Sequence, residues 1–289
     1  MKIRTILERE SVSLSFEVFP PKQAEGFDSV ERAALSIASL KPDFMSVTYG
    51  AGGTTAGLTL ELTDGIQKGS GVPAIAHLTC VGTSRQELDR MLEEYRRRGI
   101  ETVLALRGDI PRSGERKKDF LYAEDLVRYI KAHSKLCIGA ACYPEGHVES
   151  QNKHEDLFYL RRKVNAGCDF LTTQMFFDNN IFYNFLYRAR EAGILVPVIA
   201  GIMPITNAKQ LSRSVTLSGT GVPERLRAIV DRFGEDPVAM EQAGIIYASE
   251  QIIDLVANGI RHIHVYSMNK PQVARRILQN LSCILGRGQ

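Results

Sequence analysis

Along the chain, short runs of β-branched and apolar residues alternate with longer segments of helical spacing. The runs begin near Val12 (VSLSFEV), Phe44 (FMSVTY), Pro73 (PAIAHLTC), Thr102 (TVLALRG), Lys135 (KLCIGAACY), Phe170 (FLTTQMF), Val196 (VPVIAGI) and Arg261 (RHIHVYS). They recur about every thirty residues, the length of one strand–helix–strand unit, apart from a gap of roughly sixty before the last. The clearest helix is predicted from Ser84 to Arg98, with Leu88, Met91, Leu92 and Tyr95 on one face. Ser84 and Glu87 form a capping box, and Gly99 supplies the stop. Leu157, Leu160 and Val164 repeat the pattern up to Gly167, and Val30, Ala33, Ala34 and Ile37 do so after an Asp28 cap.

Strands that are apolar almost throughout, separated by amphipathic helices, imply a parallel sheet covered by helices. Eight such units suit a closed barrel better than an open sheet. The expected architecture is therefore an α/β fold, a (β/α)8 or TIM barrel, forming one domain over residues 1–289. The long gap is read as a helical insertion before the last strand, with one helix opening at Pro223 and another running from Pro237 to Val256.

Composition narrows the function classes. With 44% hydrophobic and 24% charged residues the chain has the make-up of a globular protein with a large core. No apolar run is long enough to span a bilayer, and the N-terminal MKIRTILERESVSLSFEVF carries acids where a signal peptide needs an apolar stretch. A cytoplasmic location is expected, without membrane attachment. A net charge of +3 lacks the basic excess of a nucleic-acid binder. Cys80, Cys137, Cys142, Cys168 and Cys283 contain no CxxC pair and read as reduced, mostly buried thiols. Arg96, Arg97 and Arg98 end a helix, where cations complement the dipole.

Barrel active sites lie at the C-terminal ends of the strands. Here those ends carry Glu17; Thr48 and Tyr49 before the loop Ala51-Gly52-Gly53; His77; Arg107-Gly108-Asp109; Tyr143 with His147 beyond it; Gln174; Met203-Pro204; and Tyr266 with Asn269. Each also has a purely structural reading. Glu17 could pair with Lys22 or Arg107, Asp109 could cap a turn before Pro111, and His77 could be a backbone-bonded core histidine. Arg161, Arg162 and Lys163 read as a solvated face or as a cluster facing an anionic cofactor. The Gly52-Gly53 loop matches no phosphate- or dinucleotide-binding pattern. His154-Glu155 lacks the second histidine of a zinc motif, so no metal is expected. Two acids, an Arg, a His, an amide and several hydroxyls, without a nucleophile triad, fit redox chemistry at a bound organic cofactor.

The series SFEVFPPK, SVTYGAGG, HLTC, ALRGD, YPEGH, LRRKVNAG, TQMFFD, GIMPITN and VYSMNK, in this order from about Ser13 to Leu285, resembles the methylenetetrahydrofolate reductase family in its short bacterial form. The resemblance implies FAD as cofactor, NADH or NADPH as hydride donor, and reduction of 5,10-methylenetetrahydrofolate to 5-methyltetrahydrofolate. It makes Glu17 the general acid, Asp109 the carboxylate near flavin and pterin, and Gln174 the amide that meets pterin and nicotinamide. It further implies cofactor contacts from Thr48, Tyr49, Ala51, His77, Arg107, Gly108, Asp109, Tyr122, Ala123, Ala141, Tyr143, His147, Asp156, Tyr159, Arg162 and Lys163. Lys270 falls where an arginine meets the folate tail, keeping the charge without the fork. A homo-oligomer is implied as well.

Two other positions depart from the family pattern. Tyr159 replaces an asparagine among the cofactor contacts. Ala208 stands where an aromatic packs on nicotinamide and folate, so direct oxidation of NADH is expected to be weak or to depend on a partner redox subunit. The alternative reading is a flavin-binding electron-transfer subunit of a multi-protein redox complex. A proline dehydrogenase-like oxidase is disfavoured by Glu17 and Gln174.

Overall fold

Eight parallel strands pair in sequence order and close on themselves, β1 (Ser13–Val18) lying between β2 (Phe44–Val47) and β8 (His262–Tyr266). The others are β3 (Ala74–Thr79), β4 (Thr102–Leu106), β5 (Cys137–Cys142), β6 (Phe170–Thr173) and β7 (Val198–Ile202). The computed structural model describes residues 3–49, 56–109 and 119–286. Ala51, the Gly52-Gly53 loop and Pro111 lie outside the described residues.

Each of the eight runs read from the sequence contains one of these strands. Helices α2 (Phe27–Ala38), α3 (Ala56–Ser70), α4 (Arg85–Arg98), α5 (Ala123–His133), α6 (Lys153–Asn165), α7 (Asn179–Glu191), α8 (Ala208–Ser218) and α11 (Pro271–Leu281) follow the strands in turn. Between α8 and β8 stand α9 (Glu224–Phe233), which opens after Pro223, and α10 (Pro237–Ala257). The box at Ser84 and Glu87 is formed, with Gly99 as the C-cap. Asp28 is not a cap: α2 starts one residue earlier, with Gly26 at its N-cap, and Asp28 lies in the first turn, where a carboxylate faces the positive end of the dipole. Arg96 and Arg97 pair with Glu93, and Arg98 pairs with Glu94.

Strand periodicity sorts the side chains into two shells. Leu14, Phe16 and Val18 point outward into the large core between sheet and helices, together with Ala76, Leu78 and Ile37. The inward residues of β1 are Ser13, Ser15 and Glu17. The lower interior is apolar: Phe44, Ile75, Leu104, Phe170 and Ile199 pack against Ile3, Ile6 and Leu7 of a short helix α1 (Ile3–Leu7) that closes this end. Above that layer the interior turns polar. This gradient leaves the C-terminal mouth as the place where polar side chains gather.

Candidate active site

At the mouth, the carboxyl of Glu17 lies between two imidazoles. Its Oε2 is 3.6 Å from Nε2 of His77 on β3 and 3.8 Å from Nε2 of His264 on β8, and its side chain is 19% exposed. Burial pushes the His77 pKa down to about 4, although the nearby Glu17 charge works against it. The His77 Nε2 is buried without a hydrogen-bond partner among the described residues. The backbone around Glu17 is clasped from β8: Ser267 Oγ donates to the Glu17 carbonyl at 2.8 Å. Asn269 accepts from the Phe19 amide at 2.9 Å and donates to its carbonyl at 2.8 Å. Met268 and Asn269 both adopt φ of 54° to make that clasp.

Tyr266, opposite Glu17 in the β1–β8 register, donates its hydroxyl to the Thr173 carbonyl at 2.5 Å. Burial, followed by the Glu17 charge, raises its pKa well above the ordinary tyrosine value. Gln174, one residue on from that carbonyl, donates its backbone N–H to Cys142 at 2.8 Å and accepts from the Met175 amide through Oε1 at 2.9 Å. Its side-chain NH2 has no partner among the described residues. Two hydrogen bonds from α10 hold the following loop, Tyr247 to the Phe177 carbonyl at 2.7 Å and Gln251 to that of Phe176 at 2.9 Å. Lys270 donates to Thr206 at 2.8 Å, which ties the β7 and β8 loops together.

A cleft of about 740 Å³ opens beside this group, over the ends of β3 to β5 and against α5 and α6. Tyr49, Arg107, Gly108, Asp109, Tyr122, Ala123, Ala141, Tyr143, His147, Asp156, Tyr159, Arg162 and Lys163 line it. Of the other cofactor positions expected from the sequence, His77 lies beside Glu17, Thr48 ends β2 without lining the cleft, and Ala51 is not described. Gly108 turns at φ 84°, and a Cβ there would come within 2.9 Å of the Thr79 Cβ, so the backbone passes the cleft wall closely.

The electrostatics of the cleft are arranged in pairs. Arg107 grips both oxygens of Glu149 at 2.5 and 2.7 Å. That arrangement overturns the reading in which Glu17 is its partner, and Glu17 does not pair with Lys22 either. Arg162 pairs with Glu124 at 3.2 Å, and its guanidinium lies 5.9 Å from the ring centres of both Phe158 and Tyr159. Lys163 is not a solvated lysine: Nζ donates to the Ala141 carbonyl at 2.6 Å, and burial lowers its pKa. Asp156 is buried and its pKa rises for the same reason. The His147 ring meets Tyr143 edge-on at 4.7 Å and accepts the Glu149 amide at Nδ1.

Three residues here were missed by the sequence reading: Glu149, His264 and Ser267. A signal for one existed, since RHIHVYS places His262, His264 and Tyr266 on one strand face.

The family model described as methylenetetrahydrofolate reductase matches residues 2–282. The chain belongs to that family. Among methylenetetrahydrofolate reductases, "Methylenetetrahydrofolate reductase (NADH) 1" of Arabidopsis thaliana is 36% identical over 298 residues, covering 98% of this chain and 50% of the plant protein. The 5,10-methylenetetrahydrofolate reductase of Escherichia coli is 34% identical, over 93% of this chain and 90% of the relative. The chain thus spans about half the length of its plant relatives and nine-tenths of the bacterial ones. Among solved structures, an uncharacterized Clostridium thermocellum protein that binds two copies of 5-methyl-5,6,7,8-tetrahydrofolic acid aligns with a TM-score of 0.64. The alignment covers 99% of both chains at 15% identity, a likeness of fold. Among the described residues no helix is long and apolar enough to cross a membrane.

Proposed function

We propose that this chain reduces 5,10-methylenetetrahydrofolate to 5-methyltetrahydrofolate, with FAD held in the cleft beside Glu17. The observation that carries this reading is the junction of a long cleft rich in aromatic and basic groups with a half-enclosed carboxyl at the barrel mouth. The cleft's residues fit FAD. Its volume is in the range of small-molecule and cofactor sites, Tyr122, Tyr143 and Tyr159 offer faces for ring systems, and Arg162 and Lys163 offer charge to a pyrophosphate. When bound, FAD supplies hydride transfer, and the protein supplies orientation and protons.

Glu17 delivers a proton to the folate as its methylene bridge opens. The uncommitted NH2 of Gln174 recognises the pterin, and Lys270, fixed by Thr206, faces the anionic folate tail. Asp109, exposed at the edge of the cleft, contributes negative charge between the two ligands. NADH, NADPH or a partner protein provides the electrons. The reading as an electron-transfer subunit is favoured by one observation, Ala208 in place of an aromatic, and opposed by Glu17 and Gln174 standing at the same mouth.

The test is an anaerobic half-reaction. The purified chain is expected to carry flavin near-stoichiometrically, and its reduced form to be reoxidised by methylenetetrahydrofolate. Glu17→Gln should retain flavin and lose roughly a hundredfold or more of the reoxidation rate, the usual weight of a general acid. A reduced native flavin that ignores the folate would instead support the electron-transfer reading.

A further inference from the structure

His264 has no role in the proposed chemistry, yet contacts from three strands fix it beside Glu17. It is 3% exposed. Ser15 Oγ lies 2.7 Å from its Nδ1, and Ser46 Oγ lies 3.0 Å from its Nε2. Its ring stacks on Phe44 at 6.2 Å with 9° between the planes and meets Tyr266 edge-on at 5.4 Å. Strands on three sides of the barrel seam therefore determine where the ring sits.

The hydrogen bonds also bear on where the ring proton sits. Ser15 Oγ donates to the Ile263 carbonyl at 3.0 Å. A hydroxyl has a single hydrogen, so with that hydrogen given to the carbonyl the same oxygen accepts toward His264, and Nδ1 carries the ring proton. In the neutral ring Nε2 is then a lone pair, which accepts from Ser46. This is the nitrogen that faces Glu17 Oε2 at 3.8 Å. Had the proton been on Nε2, the positive end of an N–H dipole would lie near the carboxylate and favour Glu17 as an anion, the wrong form for an acid.

We infer that His264 is a positioning residue for Glu17: Ser15 and Ser46 fix its tautomer so that a lone pair, not an N–H, faces the carboxyl. The inference rests on the proposed reductase reading for its purpose, but its geometry stands without that reading. Among the described residues, the titratable groups facing Glu17 are His77 from β3 and His264 and Tyr266 from β8. Around His264 itself stand Glu17 and Ser15 of β1, Phe44 and Ser46 of β2, His77 of β3 and Tyr266 of its own strand. β7 presents only Gly201 opposite it.

Nitrogen-15 NMR of the full-length protein labelled at histidine reads the tautomer directly, with the His264 signals assigned by their loss in His264→Gln. The native ring should show a protonated Nδ1. In Ser15→Ala the proton should move to Nε2, where Ser46 can accept it. The pH above which folate-driven reoxidation declines should then fall, because an N–H dipole beside the carboxylate favours its charged form. A native ring protonated at Nε2 overturns the inference, as does a Ser15→Ala variant that loses rate equally at every pH. If Ser15→Ala does not fold, Ser15→Cys preserves the volume with a weak hydrogen-bonding group, and the native spectrum alone already decides. Absence of folate-driven reoxidation in the native protein would defeat the reductase reading and leave the tautomer result intact.

Discussion

His77 is kept neutral by burial, and that has a stability consequence of definite sign. Its folded pKa is about 4 against an ordinary 6.5, so between those values the unfolded chain binds the extra proton and folding weakens as pH falls. At pH 5 the difference is about 2 kcal/mol relative to neutral pH. Burial acts in the same direction at His262. Replacing His77 by Gln should therefore flatten the loss of stability between pH 7 and pH 5, as read from urea midpoints at the two pH values. An unchanged slope would show that His77 is charged in the folded protein. At this scale Glu17 and His77 were legible, because a polar residue inside an apolar run stands out. His264 carried only a weak signal, since the alternation in RHIHVYS also describes a strand with one solvated face. Only closure against Ser15 and Ser46 turns that face inward.

At the scale of elements, local signals carried furthest. Ser84, Glu87 and Gly99 specify both ends of α4 within their own neighbourhood, and Pro223 and Pro237 mark the inserted helices in the same way. What periodicity did not convey is the role of α1, because five residues with three buried side chains are too short a pattern to read. The closeness of α10 to the mouth is also a tertiary fact. A Cβ on Gly244 would lie 1.7 Å from the Ile205 carbonyl oxygen, so the helix backbone rests directly on the loop after β7. Gly244→Ala should destabilise the protein by about 3 kcal/mol or more, beyond ordinary overpacking because the obstacle is backbone. The same change should disturb the loop bearing Thr206, and with it Lys270. Thermal unfolding checks the first effect, and a raised KM for the folate checks the second.

For the whole molecule, the order of eight strands was readable from their spacing, whereas the proposed electron supply turns on a surface the sequence marks at one point. Ala208 opens α8, and its methyl faces the end of α9 at Gly234, where an added Cβ would be 3.3 Å away. Nothing large stands at that position to stack on a nicotinamide. NADH mixed anaerobically with the protein should bleach the flavin slowly, and Ala208→Phe should speed the bleaching by about threefold to tenfold, the worth of one aromatic stack. Rapid stoichiometric bleaching of the native protein would refute this.

The seam between β1 and β8 gives the site a history as well as a shape. Ser15 and His264 are separated by 249 positions along the chain, and Glu17 takes its backbone clasp from Ser267 across a similar span. During synthesis, β1 emerges well before β8 and cannot acquire these neighbours until β8 has left the ribosome. Contacts so distant in sequence form late, after the loop-closure entropy has been met. A half-made barrel thus has Glu17 but no fixed ring beside it. The surroundings of Glu17 are complete only once β8 is in place.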